Sequence, residues 1–229
     1  MIWKAGMRLA GRNPRRLAWQ RRWRAAKYWL RAISSFLLPF GLESLITKLL
    51  DLEPEDSIPD LWLLCLYSPF WLFGLMSLGQ GRRYWKWAGL ASQGAVGEAE
   101  VAQTLEPLAP EGWQLEYDVP IRAGGDVDIL CTSPQGRLLT LDVKSHNCTV
   151  VSHGDHLYRQ YGRQRYPFET DLLAQALQQA GQVQRLRQAD SVTPLIVFSR
   201  AQVRVEAEKL RGVYVTERDR LLDLLRRLG

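Results

Sequence analysis

The sequence predicts an α/β protein, a mixed β-sheet flanked by helices, preceded by an N-terminal transmembrane hairpin of two helices. Three observations predict it. Residues 61–81 form a run of 21 residues without a charge, close to the ~20 that a spanning helix needs. Charge divides sharply: residues 1–90 hold 14 Lys and Arg against 6 Asp and Glu, and residues 91–229 hold 16 against 18. After residue 91 the apolar spacing switches between helical and strand periods, in the order helix, three strands, helix, two strands, helix.

The first of these elements is the basic arm, residues 1–31, with ten Lys and Arg and no acid. Trp19 and Trp23 stand four apart, on one helix face. The arm suits anionic lipid headgroups, nucleic-acid phosphates, or a topology signal with no further task. It is too long for the basic region of a signal peptide, and no small-x-small site follows a short apolar run. A first span is expected at 32–50, interrupted by Glu43 and Lys48, and a second at 61–80. Pro69 and Gly74 argue against a soluble core helix, but membrane helices tolerate them. Trp62 at one end, and Trp85 and Trp87 past the other, suit the two interfaces.

Residues 51–60 contain five acids and no base, whereas Arg82, Arg83 and Lys86 follow the second span. Basic flanks stay cytoplasmic. Two spans put both basic flanks on one side and make 51–60 an external turn; a half-inserted first helix, which would leave that turn inside, is the alternative. Residues 82–92 read as a juxtamembrane linker, and residues 93–229 as the soluble domain.

That domain opens with a helix from Ser92 to near Pro107. Gln114 to Val119 alternates as a strand. Val127 to Cys131 and Arg137 to Lys144 form a hairpin about the turn signal Ser133-Pro134-Gln135-Gly136. A loop-rich stretch is expected from Ser145 to Phe168, then a helix from about Glu169 to Ala189. Leu195 to Phe198 reads as a buried strand, Val213 to Val215 as another, and Glu217 to Leu228 as a closing helix. The three cysteines include no Cys-x-x-Cys pair, which excludes a disulfide scaffold and a zinc ribbon. The free thiols of Cys131 and Cys148 fit a reducing compartment. With two acids in excess, this part carries no nucleic-acid footprint in its charge.

Its informative polar residues lie in the hairpin. Asp128 interrupts one apolar strand; Asp142 and Lys144, two apart and so on one face, interrupt the other. Buried carboxylates side by side are costly unless a cation joins them. A hard divalent ion, Mg²⁺ or Mn²⁺, would remove the repulsion and accept oxygen ligands. The lysine would then face the point where phosphate and attacking water meet. Taken singly, an Asp-x-Lys strand is an ordinary solvated face; the order of motifs carries the signal.

That order resembles the nuclease-related domain, NERD, of the PD-(D/E)XK nuclease superfamily, over residues 94–199. Gly97-Glu98, preceded by Gly94, stands for the family's Gly-Glu helix. Asp126-Val127-Asp128 stands for its Asp-Ile-Asp strand, and Asp142-Val143-Lys144-Ser145 for Glu-Val-Lys-Ser. A helical glutamine is best matched by Gln175, with Gln178 and Gln179 within a turn, and Leu195-Ile196-Val197-Phe198 closes the pattern. The chain departs from the family with Asp142 in place of Glu and with no Asn-Pro before the glutamine.

The resemblance implies a restriction-endonuclease-like core and metal-dependent hydrolysis of phosphodiester bonds. Asp128 and Asp142 would bind Mg²⁺ or Mn²⁺ together with the Val143 carbonyl, and Glu98 would reach the metal directly or through water. Lys144 would orient the water or stabilise the phosphate, and Gln175 would position substrate or the lysine. The implied partner is nucleic acid, DNA ahead of RNA, and the implied protein is a multi-pass membrane nuclease with its domain in the cytoplasm. A membrane-tethered binding or interaction module on the same fold, without activity, is the competing reading.

Two further clusters follow the lysine strand. His146, Cys148, His153 and His156, with Cys131 nearby, invite a zinc site, but their spacing fits no common finger and reads as polar loop residues. Arg159, Arg163 and Arg165 interleave with Tyr158, Tyr161 and Tyr166, a composition that suits phosphate contact with base stacking, or simply a solvated loop. The topology is testable directly: a cysteine placed within 51–60 should react with an impermeant thiol reagent added outside the cell. Reaction from the cytoplasmic side alone would overturn the two-span topology.

Overall fold

The computed structural model describes residues 12–49, 60–121 and 125–229. The start of the basic arm, the last residue of the first expected span and residues 51–59 of the expected acidic turn lie outside them. Residues 16–91 form one compact unit and residues 92–229 another.

In the first unit, helix α1 (Arg12–Leu49) takes in both the later part of the basic arm and the first expected span. Helix α2 (Asp60–Thr104) begins with the second span. Residues 82–92, expected as a linker, are helical: they contain no proline, and Gly89 is their one weak helix former. The two helices pair antiparallel, as their contacts show. The Ser35 hydroxyl donates to the Phe70 carbonyl at 2.5 Å, and Tyr67 donates to the Glu43 carboxylate. Tyr28 stacks on Tyr84 with ring centroids 5.3 Å apart. The seam has a period of seven: Ala18, Ala25, Ala32 and Pro39 are buried on α1, and Tyr67, Gly74, Gly81 and Ala88 on α2. Small residues at this spacing bring two helix backbones close. Trp29 lies against Gly81, where a Cβ would come within 2.4 Å of its indole, and Phe36 lies close against Gly74 at 3.0 Å.

Both helices are long and apolar enough to cross a membrane, and only 17% of each apolar stretch is buried. Leu37, Leu38, Phe40, Leu72, Phe73 and Met76 face outward. A water-soluble surface rarely exposes so continuous an apolar band.

The second unit is built on a six-stranded mixed sheet in the order β1-β2-β3-β7-β10-β9. Its strands are β1 (Gln114–Pro120), β2 (Asp126–Thr132), β3 (Leu138–Lys144), β7 (Val192–Phe198), β9 (Lys209–Leu210) and β10 (Val213–Glu217). β1, β2 and β3 are antiparallel neighbours; β3, β7 and β10 run parallel. Helix α3 (Leu172–Arg187), capped by Asp171, leads into β7, and α4 (Leu221–Leu228) closes the chain. A 3₁₀ turn, Arg218–Arg220, precedes α4 where the sequence suggested helix. Alternate residues of β7 serve the two faces. Leu195 and Val197 pack with Val101, Leu105 and Leu221, whereas Ile196 and Phe198 pack with Leu172 and Leu173 of α3.

Residues 145–168 are not loop. They supply β4 (Thr149–His153), β5 (His156–Tyr161) and β6 (Gln164–Pro167), and these join β8 (Gln202–Arg204) in a second sheet ordered β6-β5-β4-β8. Two tight turns make this possible. Gly154 (φ 56°) and Gly162 (φ 59°) each open a two-residue hairpin loop, the conformation that glycine supplies without strain. Gly154-Asp155 and Gly162-Arg163 are the sequence signals for these hairpins, hidden among polar strand residues. β4 runs parallel to β8 as β3 does to β7. Two strand pairs therefore follow one another, interrupted at residues 145–148 and 199–201.

The amide of Ser199 donates to the Lys144 carbonyl at 3.0 Å across this interruption, and the hydroxyls of Ser145 and Ser199 lie 3.0 Å apart. Gly97 of α2 lies against this pair: a Cβ there would come within 1.7 Å of the Ser145 hydroxyl and 2.6 Å of the Ser199 hydroxyl. Gly94 has nothing within 4 Å. Gly97→Ala should therefore destabilise the chain by about 1–3 kcal/mol through overpacking. Gly94→Ala should be neutral or gain up to ~1 kcal/mol of helix propensity. Denaturant unfolding of both variants in detergent checks the contrast.

Candidate functional site

The last ladder pair between β2 and β3 at this end is Ile129 with Leu141. One step further along both strands, Asp128 stands opposite Asp142, and directly opposed residues share a face of the sheet. The two carboxylates lie at the carboxyl end of the parallel strands β3 and β7, where open α/β sheets present their ligand sites. Asp142 is only 3% exposed, because β3 is an inner strand and Asp142 pairs with Ile196 of β7.

The polar groups are tightly engaged. Asp128 Oδ2 accepts the Val143 amide at 2.7 Å. Lys144 Nζ donates to Asp142 Oδ1 at 2.8 Å. Asp142 Oδ2 is buried and has no hydrogen-bond partner. Glu98, buried on α2, brings a third carboxylate, set by the glycine contact at its neighbour. Burial, and then the charges of Asp142 and Glu98, hold the Asp128 carboxyl well above its ordinary range; the Val143 amide and Lys144 oppose this. Four of the residues expected from the sequence thus form one electrostatic cluster: Glu98, Asp128, Asp142 and Lys144.

Gln175 lies half-buried on the first turn of α3, and among the described residues no hydrogen bond joins its side chain to the cluster. The glutamine that touches the Asp128 strand is Gln179, one turn on, whose Nε2 lies 3.4 Å from the Asp126 carbonyl. Helical spacing alone gives both residues the same face.

Sequence reasoning missed other neighbours. Asp118 lies between the pairs Tyr117–Ile129 and Val119–Val127, hence beside Asp128, and has a left-handed φ of 52°. Ser199 seats Gly97 as described. Glu100 draws in Arg200 at 3.4 Å and Arg218 at 3.5 Å, lining a polar cleft of about 510 Å³ with Asn147 and Asp219. The distinctive φ and the long-range pairs have no signature in sequence.

The histidine and cysteine cluster does not assemble. His146 packs on Phe168 and Phe198, with centroids 5.3 and 6.4 Å away. Its pKa is lowered by burial and by the charges of Arg159 and Lys144. Cys131 is buried in the core, and His153 and His156 face one another across the far β4–β5 turn. Among the described residues no three His, Cys, Asp or Glu side chains are poised to hold an ion by themselves. At the sheet end the donors are of a different kind: two opposed carboxylates and the backbone between them. All are hard oxygens, and the partnerless Oδ2 of Asp142 leaves one lone-pair site open, so the residues fit Mg²⁺ or Mn²⁺.

Residues 93–199 match the family model of the nuclease-related domain, NERD. This is the family and the region that the motif order suggests. No curated protein and no solved structure matches the chain.

The raised pKa of Asp128 has a consequence for stability. The folded state holds its proton to higher pH than the unfolded chain, so this contribution is complete below the ordinary carboxylate range and is lost as pH rises through the folded value. Metal-free protein should therefore lose stability on that climb. Asp128→Asn removes the repulsion and keeps an acceptor for Val143. In EDTA it should unfold later, by about 1–2 kcal/mol at neutral pH, with a flatter pH dependence. Thermal melts across pH check both.

Proposed function

On the premise that residues 93–199 form a nuclease-related domain, we propose that this protein is a membrane-anchored, Mg²⁺- or Mn²⁺-dependent nuclease. The observation that carries the reading is the opposed Asp128–Asp142 pair, with Asp142 buried, one of its oxygens partnerless and Lys144 beside it. Residues 32–81 anchor the chain as a two-helix hairpin, with the N-terminus and the domain in the cytoplasm. The substrate is nucleic acid, DNA ahead of RNA.

Asp128, Asp142 and the Val143 carbonyl would hold the ion, and Glu98 would reach it directly or through water. When bound, such an ion supplies a Lewis acid for the phosphate and a water of lowered pKa. The protein's own residues do the rest. Asp142 tethers Lys144 through one oxygen and keeps the ammonium at the strand end, where the lysine's side chain is 19% exposed. Lys144 neutralises charge that develops on the phosphate oxygens, a fixed electrostatic contribution that needs no reorganisation. Leu141 and Val143 flank Asp142 and pack into the core, which fixes the carboxylate's direction. Gln179 steadies the Asp128 strand from α3, and Gln175, a turn before it, positions substrate or Lys144.

The test is cleavage by the full chain in detergent with Mg²⁺ or Mn²⁺. Asp142→Asn removes a charged ligand and should abolish cleavage without unfolding the domain. Asp142→Glu should keep part of the activity, because the wider superfamily uses Glu there. Lys144→Ala should still bind Mn²⁺ but cut about a hundredfold to a thousandfold more slowly, the loss of ~2.7–4 kcal/mol of transition-state stabilisation. A wild-type chain that binds no Mn²⁺ by calorimetry and cuts neither DNA nor RNA would replace this reading with the inactive binding module.

A further inference from the structure

The β5–β6 hairpin interleaves arginines with tyrosines. Residues 156–167 contain three arginines and no acid, within a domain where acids outnumber bases. Strand register decides where the tip of this hairpin lies. β4 leaves the catalytic end of the first sheet at Thr149, and β5 returns antiparallel, pairing Gln160 with Thr149. Tyr161, the next residue, is therefore level with Cys148. The turn Gly162-Arg163 sits at the catalytic end of the second sheet, and Gly154-Asp155 at the far end.

The base of the hairpin is fastened to the site. Arg159 donates to the Pro167 carbonyl at 2.9 Å, and its guanidinium lies 5.5 Å from the Phe168 ring centre. Phe168 packs on His146, two residues beyond Lys144. The tip is left open. Tyr166 pairs with Arg159, and Tyr161 follows Arg159 by two, so both tyrosines project from one face. Their ring centres are 6.1 Å apart, and the residues are 51% and 44% exposed. Arg163, in the turn between them, is exposed and joins no ion pair among the described residues. Arg187, Arg200, Arg211, Arg218, Arg226 and Arg227 all do.

We propose that the β5–β6 hairpin is a clamp for an unpaired nucleic-acid strand, in which Tyr161 and Tyr166 stack on bases and Arg163 holds a phosphate beside Lys144. This rests on the nuclease reading of the adjacent site and names its substrate class: single strands, flaps or loops. Duplex DNA buries its base faces in the stack and offers the tyrosines nothing to cover. An unpaired strand offers both a π-face and a phosphate at each step, the chemistry of sequence-tolerant strand binding. Arg165 lies on the opposite face with Gln160 and takes no part.

The test is fluorescence anisotropy with the full chain in nanodiscs and EDTA, so that nothing is cut. The probes are fluorescein-labelled oligothymidylate of ~16 nucleotides and a blunt duplex of equal length. Wild type should prefer the single strand. The pair Tyr161→Ala and Tyr166→Ala should weaken that binding about tenfold or more and leave duplex binding within about twofold. The pair Tyr161→Phe and Tyr166→Phe keeps both rings and should bind like wild type. Both pairs alter exposed side chains, and matching melting curves confirm folding. The basic arm is common to all variants, so its contribution cancels. Wild-type affinity in the alanine pair, or equal weakness in the phenylalanine pair, overturns the clamp. Strand binding by this face without any Mn²⁺-dependent cleavage would sink the nuclease reading alone. Cleavage with unchanged binding in the alanine pair would sink the clamp alone.

Discussion

Two carboxylates stand opposed on adjacent inner strands, Asp142 buried and Asp128 half-buried, and their mutual repulsion is the constraint that the surrounding domain answers. Asp142 is held at 2.8 Å by Lys144, and Asp128 turns an oxygen to the Val143 amide. Each interaction offsets part of the burial penalty; neither satisfies Asp142 Oδ2. Leaving a buried charged oxygen without a partner is among the more expensive arrangements a core can contain. It persists because Leu141 and Val143, on either side of Asp142, are committed to the opposite face of the sheet. The apolar packing of β3 therefore fixes where the acid stands.

The surroundings of this pair follow from two interruptions in a parallel strand pair. β3 and β7 stop at Lys144 and Phe198, and β4 and β8 resume the pairing beyond them. At the gap the chain exposes backbone and small side chains, and Ser145 and Ser199 meet there. Gly97 lets α2 approach that point closely enough to deliver Glu98. The same gap launches the second sheet, whose β5–β6 hairpin brings Tyr161, Arg163 and Tyr166 back toward the Asp142 end of β3. One local break thus sets the carboxylate cluster, the approach of its third acid and the position of the hairpin.

The helical hairpin obeys a different logic. Its seam is made of alanines, glycines and a proline at intervals of seven, with aromatic side chains laid over the glycines. Its outer surface is leucine, phenylalanine and tryptophan. Close packing and hydrogen bonds such as Ser35 to the Phe70 carbonyl join the two helices, the kind of contact that would carry their association in lipid, where the hydrophobic effect gives no drive. Glu43, a misfit in an apolar helix, is accommodated by the Tyr67 hydroxyl of its neighbour.

Some of this was fixed by the sequence alone. Patterning suffices for the apolar helices, because length and absence of charge are local properties. It also suffices for β1, β2, β3 and β7, whose side chains alternate or run apolar according to burial. The motif order Gly97-Glu98, Asp126-Val127-Asp128 and Asp142-Val143-Lys144 was legible for the same reason: charged residues inside apolar strands contradict their surroundings. What the sequence could not decide was relational. β4, β5 and β6 looked like loop because their exposed faces are polar and their apolar residues find partners only across the second sheet. Segment 82–92 looked like a linker because its charges resemble a boundary, yet nothing in it breaks a helix. The choice between Gln175 and Gln179 depends on how α3 is rotated against β2, a matter of packing that helical periodicity leaves undetermined. The orphaned Asp142 oxygen and the location of the Tyr161–Tyr166 pair likewise exist only once strand register is set, since register is a property of two chains of residues side by side and never of one.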